Sequence, residues 1–102
     1  EWLAGTLAAI TANVELLEAL LASELPGARL RRPSASYLAW IDLRALGWGD
    51  DPAVRILEQA RVALSSGPAF GREGRGFVRM NLACAPELVA EAVSRIAALL
   101  RS

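Results

Sequence analysis

The sequence predicts a small α/β (α+β) domain: a mostly antiparallel sheet of three or four strands with helices packed on one face, a long N-terminal helix and a C-terminal helix. Three observations predict it. The first two dozen residues carry a helical apolar stripe, the middle of the chain carries strand-like runs, and the last segment returns to helical spacing. Apolar residues make up 54% of the 102 residues. A chain of this size buries about 65% of its unfolded surface, enough for a core without disulfide or metal.

Leu3, Leu7, Ile10, Val14, Leu17 and Leu21 follow one another at helical intervals, widened by Leu16 and Leu20. This reads as a core-packed helix through residues 2 to 21 rather than a coiled-coil seam, because the flanking positions are mostly Ala and Thr instead of paired charges. Pro26-Gly27 ends it. Arg29-Leu30-Arg31-Arg32 is a short basic edge strand stopped by Pro33. Ser36 to Leu43 has apolar residues at both parities, which suits a strand covered on both sides.

Gly47-Trp48-Gly49 is a turn, and Asp50 or Asp51 caps a helix that opens on Pro52. Val54, Leu57 and Arg61 share one face of that helix, with Ile56 and Ala60 on the adjoining one. Val62-Ala63-Leu64 is expected as a short strand, and Ser65 to Gly76 as a glycine-rich loop. In the strand Phe77 to Leu82, Val78, Met80 and Leu82 point one way while Phe77, Arg79 and Asn81 point the other. The last helix, Pro86 to about Leu100, is expected to bury Leu88, Ala92, Ile96 and Leu99, with Val89, Val93 and Leu100 beside them.

Composition removes several functions. Eleven basic residues balance eleven acidic ones, so the electrostatic footprint of a nucleic-acid binder is missing. No apolar run approaches the roughly 18 residues of a spanning helix, so no membrane partner is expected. The sequence contains no His, no Lys and a single Cys, Cys84. The usual zinc sites, a Ser-His-Asp or Cys-His nucleophile, a lysine Schiff base and a Walker A loop therefore cannot be built from this chain. Cys84 reads as a small buried hydrophobe at a strand-to-helix corner, since nothing here would activate it. One thiol also suits a reducing compartment. The chain opens at Glu1 inside a helix, which reads as a piece of a longer protein with 1–102 as a single domain.

Arg79 is the leading functional candidate. A mid-strand charge is seldom buried unpaired. Either it is a solvated or internally paired residue, with Glu73, Asp42 or Glu58 as partner, or it is an anion receptor whose planar fork matches a carboxylate. The loop Ser65-Ser66-Gly67-Pro68-Ala69-Phe70-Gly71 permits close backbone approach to a ligand but opens no helix, so it is no phosphate cradle. Tyr37, the only Tyr, fits an ordinary buried phenol. Trp2, Trp40 and Trp48 are not interleaved with a basic stripe, so they form no stacking platform for single strands.

Three runs taken together add more: Ala35 to Gly47 (ASYLAWIDLRALG), Ala60 to Gly71 (ARVALSSGPAFG) and Gly76 to Ala83 (GFVRMNLA). They resemble the C-terminal small domain of fold-type I pyridoxal-phosphate enzymes. Tyr-Leu-Ala-Trp-Ile-Asp-Leu-Arg is most similar to the cystathionine β-lyase type of carbon–sulfur lyase, which is related to class I/II aminotransferases. The resemblance implies that Arg79 binds the substrate α-carboxylate, that Tyr37 lines the cleft, and that Ser66 and Gly67 lie near the same carboxylate. It departs from the family where Cys84 replaces a hydroxyl residue. It implies pyridoxal 5'-phosphate in the parent enzyme only. The Schiff-base lysine, the pyridine partner and the phosphate ligands belong to the large domain, so neither a catalytic nor a cofactor residue is expected here. The parent would be a cytoplasmic homodimer acting on a cystathionine-like amino acid.

Two alternatives remain at this stage. One is the small domain of an aminotransferase, which residues outside this chain would distinguish. The other is a free-standing amino-acid-binding regulatory or dimerisation module; such a module would ordinarily begin before its first strand rather than with a long helix.

Overall fold

The computed structural model describes the backbone of residues 2–31 and 38–101 and the side chains of 8–31 and 38–100. Helix α1 (Trp2–Glu24) leads into strand β1 (Arg29–Arg31), and strand β2 (Leu38–Asp42) follows. Helix α2 (Pro52–Arg55) continues directly as a π-helical turn, Ile56–Ala60. Strand β3 (Ser65–Ser66), two 3-10 turns at Pro68–Phe70 and Arg72–Gly74, strand β4 (Phe77–Asn81) and helix α3 (Pro86–Ala98) complete the chain. The four strands form one antiparallel sheet in the order β1-β2-β4-β3. Arg32, Pro33, Ser36 and Tyr37, assigned above to strand ends, lie outside the described residues.

All the helices pack on one side of this sheet. Val14, Leu17, Leu21 and Leu25 of the first helical segment meet Ala39 and Ile41 of β2 and Val78 and Met80 of β4, with Val89, Val93, Ile96 and Ala97 of α3 closing the same cluster. The strand alternation expected for β4 holds: Val78, Met80 and Leu82 are buried inward, and Arg79 faces outward. Of the expected α1 stripe, Val14, Leu17 and Leu21 are buried in the core, while the side chains of Leu3 and Leu7 lie outside the described residues.

Three local expectations need correction. In α3 the buried set is Val89, Val93, Ile96 and Ala97, whereas Leu88 is 61% exposed and Leu100 points outward. The helix is turned by about one position, roughly 100°, from the expected phase. Asn13 meets the chain just before this helix. Its buried Nδ2 donates to the carbonyls of Leu82 (2.9 Å) and Cys84 (2.8 Å), which pins the β4–α3 corner to α1 before α3 begins.

The two faces expected for the α2 segment separate as expected: Ile56 and Ala60 are buried with Ala53, while Val54 and Leu57 are exposed. Asp51 occupies the cap position, yet its side chain makes no capping bond; only its carbonyl accepts, from Val54. Finally, no strand forms over 62–64. The π turn runs to Ala60, Arg61 takes a left-handed conformation (φ 59°), and residues 62–64 are used in crossing to the sheet. Pairing begins only at Ser65.

Candidate functional site

The face of the sheet turned away from the helices carries the candidate site. Antiparallel register aligns Arg31, Trp40, Arg79 and Ser65 across the four strands, because Arg31 pairs with Trp40, Trp40 with Arg79 and Ser65 with Arg79. The next row is Arg29, Asp42 and Phe77. Period-two alternation keeps both rows on the outer face, since the residues between them (Leu30, Ile41, Val78) join the core. This face is half-buried by its own aromatic rings and arginine stems rather than by a second layer of helices.

Arg79 does not take a carboxylate from the candidates proposed for it. Asp42 belongs to Arg44, whose Nε and terminal nitrogen donate to the two carboxylate oxygens at 3.0 and 2.8 Å, joined by the Arg44 backbone N–H at 3.0 Å. These donated bonds hold the Asp42 carboxyl below its ordinary value and push the Arg44 guanidinium up. No ion pair joins Arg79 to Glu73 or Glu58. Its guanidinium carbon sits 4.1 Å from the Phe70 ring centroid, and its buried Nε donates to nothing among the described residues. An aromatic face satisfies the charge of a guanidinium but none of its in-plane N–H groups.

The surrounding rings interlock. Trp40 meets Phe70 edge-on at 5.7 Å and Phe77 edge-on at 6.2 Å. Phe77 in turn carries Arg31 at 5.0 Å and Arg44 at 5.1 Å.

The remaining sequence candidates are placed as follows. Ser66 pairs with Val78 and therefore alternates away from Arg79; its neighbour Ser65 is the residue in register with the arginine. Gly67 donates its N–H to the Phe77 carbonyl at 3.1 Å and lies back-to-back with Gly74. A Cβ on Gly67 would collide with the carbonyl oxygens of Gly74 and Phe77, so the loop can fold onto β4 only with glycine there. Tyr37 lies outside the described residues. Sequence reasoning missed Trp40, Phe70 and Ser65 as neighbours of Arg79. For Trp40 the signal was available: it has the outward parity of its strand, opposite to Ala39 and Ile41.

Among the described residues no cluster of three or more ligating side chains could hold a metal ion, and no helix is long and apolar enough to cross a membrane. Cys84 is half-buried against the core, its thiol donating to the Asn81 carbonyl at 3.5 Å.

Among the described residues, a four-stranded antiparallel sheet carries the helices on one side and, on the other, Arg79 stacked among aromatic rings with its Nε unbonded. Comparison with known proteins shows that the chain is homologous to part of the pyridoxal-phosphate-dependent carbon–sulfur lyases. In particular, cystathionine β-lyase PatB of Bacillus subtilis is 36% identical over 100 residues, covering 97% of this chain and 26% of that protein. Cystalysin of Treponema denticola, solved with pyridoxal 5'-phosphate, superposes with a TM-score of 0.89 at 28% identity, over 98% of this chain and 26% of that one. The pyridoxal-phosphate-bound C-S lyase of Staphylococcus hominis gives 0.86 at 28% identity, over 97% and 27%. The chain thus spans about a quarter of the length of its relatives. No protein-family profile matches it.

Proposed function

We propose that this chain is the small, C-terminal domain of a cytoplasmic, homodimeric pyridoxal-phosphate-dependent carbon–sulfur lyase of the cystathionine β-lyase type. In that enzyme Arg79 binds the α-carboxylate of a cystathionine-like amino acid. One observation carries this reading: Arg79 is held in place by a ring, with a buried Nε that has no acceptor among the described residues. A buried donor left unmade is unfavourable by about 1–3 kcal/mol, and an incoming carboxylate removes that penalty with two parallel charged bonds.

The side chains present do not fit pyridoxal phosphate itself. There is no lysine to anchor it covalently. This domain's part is positional. Arg79 fixes the carboxylate end of the substrate, Ser65 stands beside it in register, and the Trp40–Phe70 wall keeps water from one side of the clamp. Tyr37, Ser66 and Gly67 complete the proposed set, Gly67 through the backbone approach it allows rather than through a side chain.

Aminotransferases are also relatives. Aspartate aminotransferase of Pyrococcus horikoshii is 33% identical, but over 71% of this chain against 97% for PatB. The wider match favours the lyase. The test is to incubate the full-length protein containing this domain with cystathionine. Release of pyruvate and thiol without added keto acid is expected; turnover only when a keto acid is supplied would place it with the aminotransferases.

A further inference from the structure

We infer that Phe70 is the positioning residue for the Arg79 carboxylate fork, an inference that rests on the carboxylate-binding reading above. An arginine that must receive a substrate carboxylate has to be held still without being neutralised. A protein carboxylate would hold it and also occupy the donors that the substrate needs. An aromatic face does neither: it attracts the cation through the ring quadrupole and leaves every in-plane N–H free.

Phe70 meets that requirement. The Arg79 guanidinium lies 4.1 Å from its centroid, closer than either guanidinium on Phe77. Nearby carboxylates are otherwise engaged or absent from contact, Asp42 being clamped by Arg44. Phe70 is itself fixed. It ends a 3-10 turn opened by Pro68, in which its N–H donates to the Gly67 carbonyl at 3.0 Å and Gly71 donates to Pro68 at 3.1 Å. Gly67 anchors that turn against Gly74 and β4, and the Trp40 edge braces the ring from the side. Yet the ring is 53% exposed. An aromatic kept half in water contributes less to a core than one buried, so its placement over Arg79 is the feature that calls for explanation.

The test compares full-length wild type with Phe70→Leu, Phe70→Tyr and Arg79→Ala. Calorimetry measures binding of 3-(methylthio)propanoate, which has the carboxylate but no amine to react, and of 3-(methylthio)propylamine, which has the reverse. Phe70→Leu is expected to weaken the acid about 2- to 30-fold and leave the amine unchanged. Phe70→Tyr, which keeps the ring face, restores acid binding. On cystathionine, the loss in Phe70→Leu falls on KM more than on kcat. Unchanged acid affinity in Phe70→Leu, alongside lost affinity in Arg79→Ala, would overturn this inference and leave the carboxylate reading standing. Equal weakening in the Leu and Tyr variants, or equal weakening of acid and amine, would overturn it as well. Undiminished acid binding in Arg79→Ala would overturn the carboxylate reading and this inference with it.

Discussion

Asn13 sits at the structural centre of this account, and replacing it with Leu tests how the site is held. The side chain is 3% exposed, and its one amide nitrogen donates to two carbonyls, Leu82 at 2.9 Å and Cys84 at 2.8 Å, nearly seventy positions along the chain. Leu has the same branching at Cγ and no donor. The variant loses two hydrogen bonds, each contributing about 1 kcal/mol net, and leaving the buried Leu82 carbonyl without this donor raises the expected loss to about 2–4 kcal/mol in all. For a domain of about 100 residues that corresponds to roughly 8–30 °C in Tm. Urea unfolding of the 102-residue chain followed by circular dichroism reads it directly.

Asn13→Asp sharpens the test. An ionised carboxylate facing two carbonyl oxygens is disfavoured by burial and repulsion, so its folded pKa rises above the unfolded one. The variant is then most stable below the unfolded pKa, where the protonated acid donates one bond, and loses stability as pH climbs through the folded value. A Leu variant within about 0.5 kcal/mol of wild type, or an Asp variant without that pH trend, would refute the idea that this amide pins the corner.

Three further outcomes follow from the same contacts. The Asp42 carboxyl, followed by carbon-detected NMR, should titrate below its ordinary value of about 3.9 and move back up in Arg44→Ala; the stability it adds is present above the unfolded pKa and lost as pH falls through the folded one. Gly67→Ala should destabilise by about 2–4 kcal/mol in urea melts, because its Cβ meets backbone oxygens that cannot step aside, whereas Ala at exposed Gly47 meets nothing and loses only the ease of its positive φ. Titrated with pyridoxal phosphate, the chain alone should give no tight, stoichiometric absorbance band, because it has no lysine.

Much of this architecture was legible because strand parity and helix spacing are local. Val78, Met80 and Leu82 announced the inner face of β4, and placing Arg79 outside followed at once. The α1 stripe was equally plain. The phase of α3 was not, because Leu88-Ala92-Leu99 and Val89-Val93-Ala97 are adjoining apolar stripes that share Ile96, and spacing alone does not choose between them. The π turn of α2 adds a residue to the turn in a way no periodicity shows. At the site, Arg79 could be singled out by chemistry, but its stacking on Phe70 depends on strand register and on the Gly67–Gly74 contact, both tertiary facts. Asp42 differs: its partner Arg44 is only two residues away, a local bidentate pair that removes it as a mate for Arg79.

The central claim is that Arg79 receives the substrate carboxylate, and the most direct measurement is a crystal structure of the full-length protein with 3-(methylthio)propanoate bound. The account predicts both carboxylate oxygens on the Arg79 guanidinium at about 2.7–2.9 Å, with Phe70 still stacked on its face. A carboxylate seated on other residues, with Arg79 unliganded or turned onto a protein carboxylate, would contradict it.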